Sequence, residues 1–360
     1  MEICQTAGAI AAPTVYEIHP LQDRRWSELV DRHPHSSVFH SAAWLNALYQ
    51  TYGFEPIVYT TSPPGATLEN GVVFCRVASW ITGRRMISLP FSDHCQPLLE
   101  NVESWRLLLS YLHSEVHRKG FKYVELRCLE SPGSALANFS YSPAAQFTYH
   151  KLDLRPDLDS LFRSFHKSCI QRRIGRAERE HLVYEEGRSY PLLNNFYKLL
   201  VRTRCRHGLP PQPFVWFQNL VAFLGERLTI RQVSKDGQAV ACMLTIAHRR
   251  TLVYKHGCSD ERFHHLGCMP LLFWMAIQKA KEAGFAELDL GRSEADNPGL
   301  VQFKSRLGAA SSSLTYYRYP QPSSPTVAGK WGERAGRYVF SHLPDALLVR
   351  AADLLYKHVS

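Results

Sequence analysis

Apolar positions in this chain follow two periods. Over residues 37–53, 104–120, 190–208, 215–226 and 269–284 they recur every three or four positions, the spacing of a helix with one buried face. Residues 158–180 show the same period and predict one long helix. Over 54–62, 71–80, 84–91, 121–129, 147–154 and 182–187 they alternate or run in short blocks rich in Val, Ile, Tyr and Phe, as strands do. The same holds for 228–235, 239–248, 250–258, 285–291 and 314–320. Punctuation agrees with this division. Ser37 or Ser41 can cap the first helix, and Gly53, Gly120, Gly208 and Gly284 stand where helices end. Asp236–Gly237 marks a tight turn between two strands, and LPPQP (209–213) is a rigid turn, because proline fixes φ and lacks an N–H.

The elements come in the same order twice. Each half has helix, antiparallel strands, a long helix ending in glycine, then a strand: HRKGFKYVELRC in the first, AKEAGFAELDLG in the second. This predicts an α+β fold made of a tandem pair of units with mixed, mostly antiparallel sheets flanked by helices. The expected domains are 15–150 and 151–320. Residues 321–360 follow as a Pro/Ser linker and an amphipathic basic helical tail. Packing of that tail on the second domain is the expected arrangement, with attachment to a membrane surface as the alternative.

Composition excludes several classes. The chain has 360 residues, 45% of them hydrophobic and 21% charged, which suits a globular protein with a real core. No apolar run reaches the ~20 residues that span a bilayer. The N-terminus lacks the basic region and long apolar stretch of a signal peptide. Nine scattered cysteines with no CxxC pair predict reduced structural thiols in a cytoplasmic protein and no metal site. A net charge of +10 predicts anionic partners. The density of Arg172, Arg173 and Arg176, with Arg163, Lys167 and Arg179, marks an anion-binding helix, although a solvated helix face has the same composition.

The segment LDLGRSEADNPGLVQFKSRLG (288–308) carries the clearest candidate chemistry. A strand breaks at Gly291, passes through a polar loop, and leads into a short amphipathic segment holding Lys304 between Phe303 and Arg306. A fixed cation there could stabilise an oxyanion or phosphate. Asp289 could orient an acceptor or take its proton, or merely cap the local turn. Tyr254, Lys255 and Arg292 are further substrate-binding candidates. A loop running from Arg262 through Gly267 to Cys268 and Met269 at a helix start could cradle phosphates, although it lacks a second glycine. His207, Cys205 and Cys258 are weaker candidates, since sequence places no partner beside them. No GxSxG, Walker A, HExxH or Rossmann fingerprint occurs.

Several of these pieces resemble the FemAB-related family of the GNAT superfamily. They are SVFHSAAWLNALYQTYGFEP, RMISLPFSDHCQPLL, RTRCRHGLPPQPFVWF and AELDLGRSEADNPGLVQFKSRLGA followed by LTYYRY. The HGLPPQP element looks like the branch linked to exopolysaccharide and cellulose gene clusters. The resemblance implies tandem GNAT-like domains and transfer of an acyl or aminoacyl group to an amine or hydroxyl of a phosphate-bearing envelope or exopolysaccharide precursor. It implies that Lys304 assists transfer and that Arg172, Arg173 and Arg176 hold substrate phosphates. No tightly bound cofactor is implied; the donor would be acyl-CoA or aminoacyl-tRNA. The expected setting is the cytoplasm or the inner membrane surface, without DNA. The alternatives are an acyl-CoA-dependent N- or O-acetyltransferase and a non-catalytic RNA- or precursor-binding module.

Overall fold

The computed structural model describes residues 14–130, 133, 136, 139–321, 356 and 358, and its strands form one twelve-stranded sheet. In chain order the strands are β1 (Tyr16–Ile18), β2 (Glu55–Thr60), β3 (Val72–Ser79), β4 (Gly83–Ile87), β5 (Tyr123–Leu126) and β6 (Ser142–Asp153). Then come β7 (Val183–Gly187), β8 (Leu228–Lys235), β9 (Gln238–His248), β10 (Thr251–Ser259), β11 (Glu287–Glu294) and β12 (Ala310–Tyr319). The helices are α1 (Arg24–Arg32), α2 (Ala42–Tyr52), α3 (Val102–Lys119), α4 (Leu158–Ser164) and α5 (Arg172–Arg179), followed by α6 (Tyr190–Arg206), α7 (Phe214–Leu224), α8 (Cys268–Glu282) and α9 (Pro298–Arg306).

The spatial order is β1-β2-β3-β4-β5-β12-β6-β11-β10-β9-β8-β7. Advancing each strand number by six reverses this order onto itself, so the two halves are related by a pseudo-twofold axis. Their sheets are continuous because the last strands are exchanged: β12 pairs with β5, and β6 with β11. Neighbours are antiparallel except β4–β5 and β10–β11. On one face, α2 and α7 meet at the axis through Trp44 and Trp216, which occupy the third position of their helices and contact edge to face at 5.2 Å. On the other face, α3 covers the first half, while α8 and α5 cover the second.

The caps are those expected for α2. The Ser41 hydroxyl accepts from the Trp44 amide at 3.3 Å, and left-handed Gly53 ends the helix. Ser41→Ala should cost about 1 kcal/mol of stability, measured by urea denaturation, because the buried cap loses its acceptor. Three expectations differ. The stretch 158–180 is broken rather than a single helix: Phe165 is extended and buried, His166 donates its amide to Arg306 O, and the Gln171 side chain satisfies the carbonyls of Phe162 and Phe165. The strand at 285–291 does not end at Gly291 but continues to Glu294 along β6. Strand β1 and helix α1 were not anticipated.

Most of the tail lies outside the described residues. Tyr356 donates to Pro210 O at 2.9 Å and packs against Phe91, while His358 O accepts from Arg85 at 2.7 Å. These two residues rest on both halves rather than on the second alone. Among the described residues no helix is long and apolar enough to cross a membrane, and the cysteines form no disulfide.

Candidate active site

Strands β10 and β11 run side by side for three residue pairs, from Thr251↔Glu287 to Val253↔Asp289. Beyond that point each follows its outer neighbour, β10 along β9 and β11 along β6. Both strands also shift register at this level, between Tyr254 and His256 and between Asp289 and Arg292. Such bulges bend a strand and redirect its side chains. The result is a wedge in the sheet, closed at its narrow end by Asp289.

Charged groups gather at the wedge. Lys304, at the end of α9, is only 2% exposed, and its Nζ donates to Gly291 O at 3.1 Å and Arg292 O at 2.9 Å. Helix α9 is aimed by its Asn297 cap and by Phe303, which packs on Phe273 of α8. Asp289 is 3% exposed; one oxygen accepts from the Gly291 amide at 2.7 Å and the other meets His94 Nε2 at 3.0 Å. Asp93 receives Lys255 Nζ at 2.9 Å and lies 3.9 Å from Arg292 Nε. Arg292 in turn stacks on Phe147, 4.1 Å from the ring centre.

Burial lowers the Lys304 ammonium to about 8, although Asp93 and Asp289 pull it back up. Burial pushes the Asp93 carboxyl up, but Lys255 and Arg292 outweigh it and hold the group below the usual range. Lys255, Arg292 and Lys304 against Asp93 and Asp289 leave one net positive charge. A group acquiring negative charge would be stabilised there.

Asp93 and His94 come from the first half, on the loop after β4. Leu89 and Phe91 are left-handed there, with φ of 61° and 60°, a conformation costly for residues with a side chain. The loop is pinned by Arg127, which donates to Leu89 O and Ser92 O, and by Tyr316, whose hydroxyl donates to Asp93 O at 2.6 Å. Sequence reasoning missed both residues. The only local trace is a polar Ser-Asp-His triplet directly after an apolar strand.

The pseudo-twofold axis shows how the two wedges differ. By register, Glu125 of β5 is the counterpart of Asp289, and Arg127 the counterpart of Gly291. In the first half Arg127 and Arg318 clamp Glu125 at 2.8 and 2.6 Å, filling the space with a buried guanidinium. In the second half a glycine stands at that position, with φ of 67°. A Cβ there would lie 3.1 Å from the Asp93 carboxylate. Gly291 thus admits the first-half loop to the second-half wedge.

Of the residues singled out from sequence, Lys304, Asp289, Lys255 and Arg292 are brought together. Tyr254 points to the other face, against Phe273 of α8. Arg172, Arg173 and Arg176 are exposed on α5, beside the start of α8 with Arg262, Gly267, Cys268 and Met269. The arginines therefore group with the expected phosphate loop. That loop is reduced. A Cβ on Gly267 would lie 2.3 Å from Arg173 O, so the glycine serves the close approach of α5. Pro270 has no N–H and Leu271 N is bonded to Gly267 O, which leaves at most the amides of Cys268 and Met269. Arg262 is held by Asp260 at 2.6 Å. His207 ends α6, and Cys258 is buried with its thiol pushed up by burial, which disfavours a nucleophile. Among the described residues no cluster could hold a metal ion.

Residues 164–305 match the family model of the acetyltransferase (GNAT) domain, ending one residue past Lys304. No curated protein matches the chain. Among solved structures, FemX aligns over 89% of this chain and 100% of its own, at 11% identity and a TM-score of 0.67. A tandem GNAT protein from the clavulanic acid biosynthesis pathway aligns over 86% and 100%, at 11% identity and 0.54. The C-terminal domain of a putative lysylphosphatidylglycerol synthetase from Agrobacterium fabrum aligns over 89% and 96%, at 12% and 0.53. These likenesses are of fold. Residues 164–305 thus match the GNAT acetyltransferase domain, and the fold over most of the chain is shared with FemX and the tandem GNAT protein.

Proposed function

We propose that the protein transfers an acyl or aminoacyl group to an amine or hydroxyl of a cell-envelope or exopolysaccharide precursor at the β10–β11 wedge. The observation that carries this reading is Lys304. An ammonium has three protons; two are given to Gly291 O and Arg292 O, leaving one for a ligand oxygen. A donor carbonyl lying in the wedge would place its oxygen toward that proton. As the acceptor attacks, negative charge grows on the oxygen beside a cluster with one surplus positive charge. Such a donor is worth about 10²–10³ in rate. The neighbour described as a putative lysylphosphatidylglycerol synthetase domain supports an envelope-related acceptor.

The donor's phosphates would meet Arg172, Arg173 and Arg176 at the start of α8, a role on the donor side rather than on a precursor. The matched domain favours acyl-CoA. The reduced amide cradle and exposed arginines favour a larger anionic donor such as aminoacyl-tRNA. Incubating the full chain with labelled acyl-CoAs and aminoacyl-tRNAs, with cell-wall and exopolysaccharide precursors as acceptors, tests this. Transfer from one donor class that disappears in Lys304→Met is expected. The absence of transfer from any donor, with salt-dependent RNA binding unchanged in Lys304→Met, would instead support a binding module.

A further inference from the structure

His94 lines a cleft of about 280 Å³ on the α2–α7 face of the sheet, together with Asp289 at its base. The histidine is 5% exposed and comes from the first half, 195 residues away in sequence from the carboxylate it touches. Its ring is fixed by edge contacts to Phe39 at 5.3 Å and Tyr149 at 5.5 Å. The carboxylate of Asp289 can only accept, and it already accepts from the Gly291 amide. In the neutral imidazole the 3.0 Å contact therefore places the proton on Nε2 and the lone pair on Nδ1. That Nδ1 is buried and has no hydrogen-bond partner among the described residues. Buried polar atoms are rarely left so, and an orphan at a cleft wall points to a partner that arrives with a ligand.

We propose that His94 is the proton acceptor for the incoming nucleophile, with Asp289 as its positioning residue, and that the cleft is where the acceptor enters. This rests on the acyl-transfer reading. The arriving ammonium first gives a proton to His94 Nδ1, which frees its lone pair; the acceptor nitrogen then bonds to the acyl carbon, and the bond from that carbon to the donor's sulfur or oxygen breaks. The nitrogen's second proton leaves with the departing donor group, and the imidazolium returns the first to solvent. Lys304 serves the carbonyl oxygen and His94 the nucleophile, so the two act on different atoms of one transfer.

The lining also says which acceptor group enters. Among the described residues of the lining, Glu130, Glu287 and Asp289 contribute three carboxylates, while Lys151 is the one lysine and no arginine is present. Lys151 is already paired with Glu287 at 2.6 Å. His248 is held near 4 by burial and is neutral. Three carboxylates against one lysine leave a surplus of two negative charges on the walls, to which neutral His248 adds nothing. They favour a primary amine, which arrives as a cation, over a phosphate group. A phosphate on the acceptor would have to lie outside this cleft.

Three measurements on the full chain test this. Crystals soaked separately with ethanolamine and with inorganic phosphate should show the amine beside His94 and Asp289, and no phosphate in the cleft. Phosphate there, or no amine, overturns the assignment of the cleft. His94→Gln should lower kcat by about 10²-fold or more while leaving the donor KM unchanged. Retention of activity within about threefold overturns the catalytic role. Imidazole ¹⁵N spectra should show the Nε2–H tautomer for His94, replaced by Nδ1–H in Asp289→Asn, because the amide NH₂ donates to Nε2. An unchanged tautomer overturns the positioning role, which a purely structural loss would not reproduce. If the wild type transfers no acyl group at all, the broader reading fails, and the soaks and spectra still judge the cleft and the dyad.

Discussion

Turnover by Lys304→Met is expected to fall by about 10²–10³-fold, with stable folding and little change in donor affinity. The pH dependence of the wild type then decides what the lysine does. Burial brings the ammonium down to about 8. If it acts as a cation on the carbonyl oxygen, the step depending on it is constant below about pH 8 and declines above it. A lysine acting as a base would give the opposite limb, with activity rising through the same range. Stability supplies an independent check. The folded value lies below the ordinary 10.5, so the folded state disfavours the charged form. That penalty is fully present below about pH 8 and is relieved as pH rises toward 10.5. Wild type should therefore gain stability relative to Lys304→Met by roughly 3 kcal/mol across that window. Urea denaturation of both proteins at pH 7, 9 and 10.5 measures it. A flat difference would mean that Lys304 is not held in a desolvated site.

Much of this site was legible, because Asp289, Gly291, Arg292 and Lys304 lie within one stretch of the chain and Lys255 on the adjoining strand. Hydrophobic periodicity placed most strands and helices, and the order of elements revealed the repeat. Strand exchange was not legible. Which edge accepts β6 or β12 is a matter of tertiary hydrogen bonding, and both strands have the same alternating pattern whichever edge they join. The break at Phe165 was hidden for a related reason. The helical period of 158–180 continues through it, but burial of Phe165 and the bond from His166 to Arg306 outweigh local propensity. Asp93 and His94 escaped because their partners Lys255 and Asp289 are 162 and 195 residues away. The comparison of Arg127 with Gly291 was present in the aligned repeats HRKGFKYVELRC and AKEAGFAELDLG. It gained meaning only when the register showed that the arginine fills one wedge and the glycine leaves the other accessible.

Asp93→Asn should be the most damaging single change, affecting stability and chemistry together. Its carboxylate is the counter-charge that the first half supplies to Lys255, Arg292 and Lys304. An amide keeps the shape and removes the charge, leaving the Lys255 side chain, which is 8% exposed, without its ion-pair partner. Breaking a buried pair from one side costs about 3–5 kcal/mol, because the remaining charge stays desolvated. A drop of that size in urea-derived stability is expected at pH 7. Asp93 also pulls the Lys304 ammonium upward, so its neutralisation should move the alkaline decline in activity to lower pH. A Lys255→Met, Asp93→Asn double variant separates the two effects. It removes the unpaired cation together with its partner and should recover most of the stability. The acid-ward shift of the decline should shrink without vanishing, since the double variant also loses Lys255, whose downward pull on Lys304 is smaller than the upward pull of Asp93. Complete recovery of both would show that Asp93 only holds the loop, whereas recovery of stability with a residual acid-ward shift would place the first-half carboxylate in the electrostatics of the second-half site.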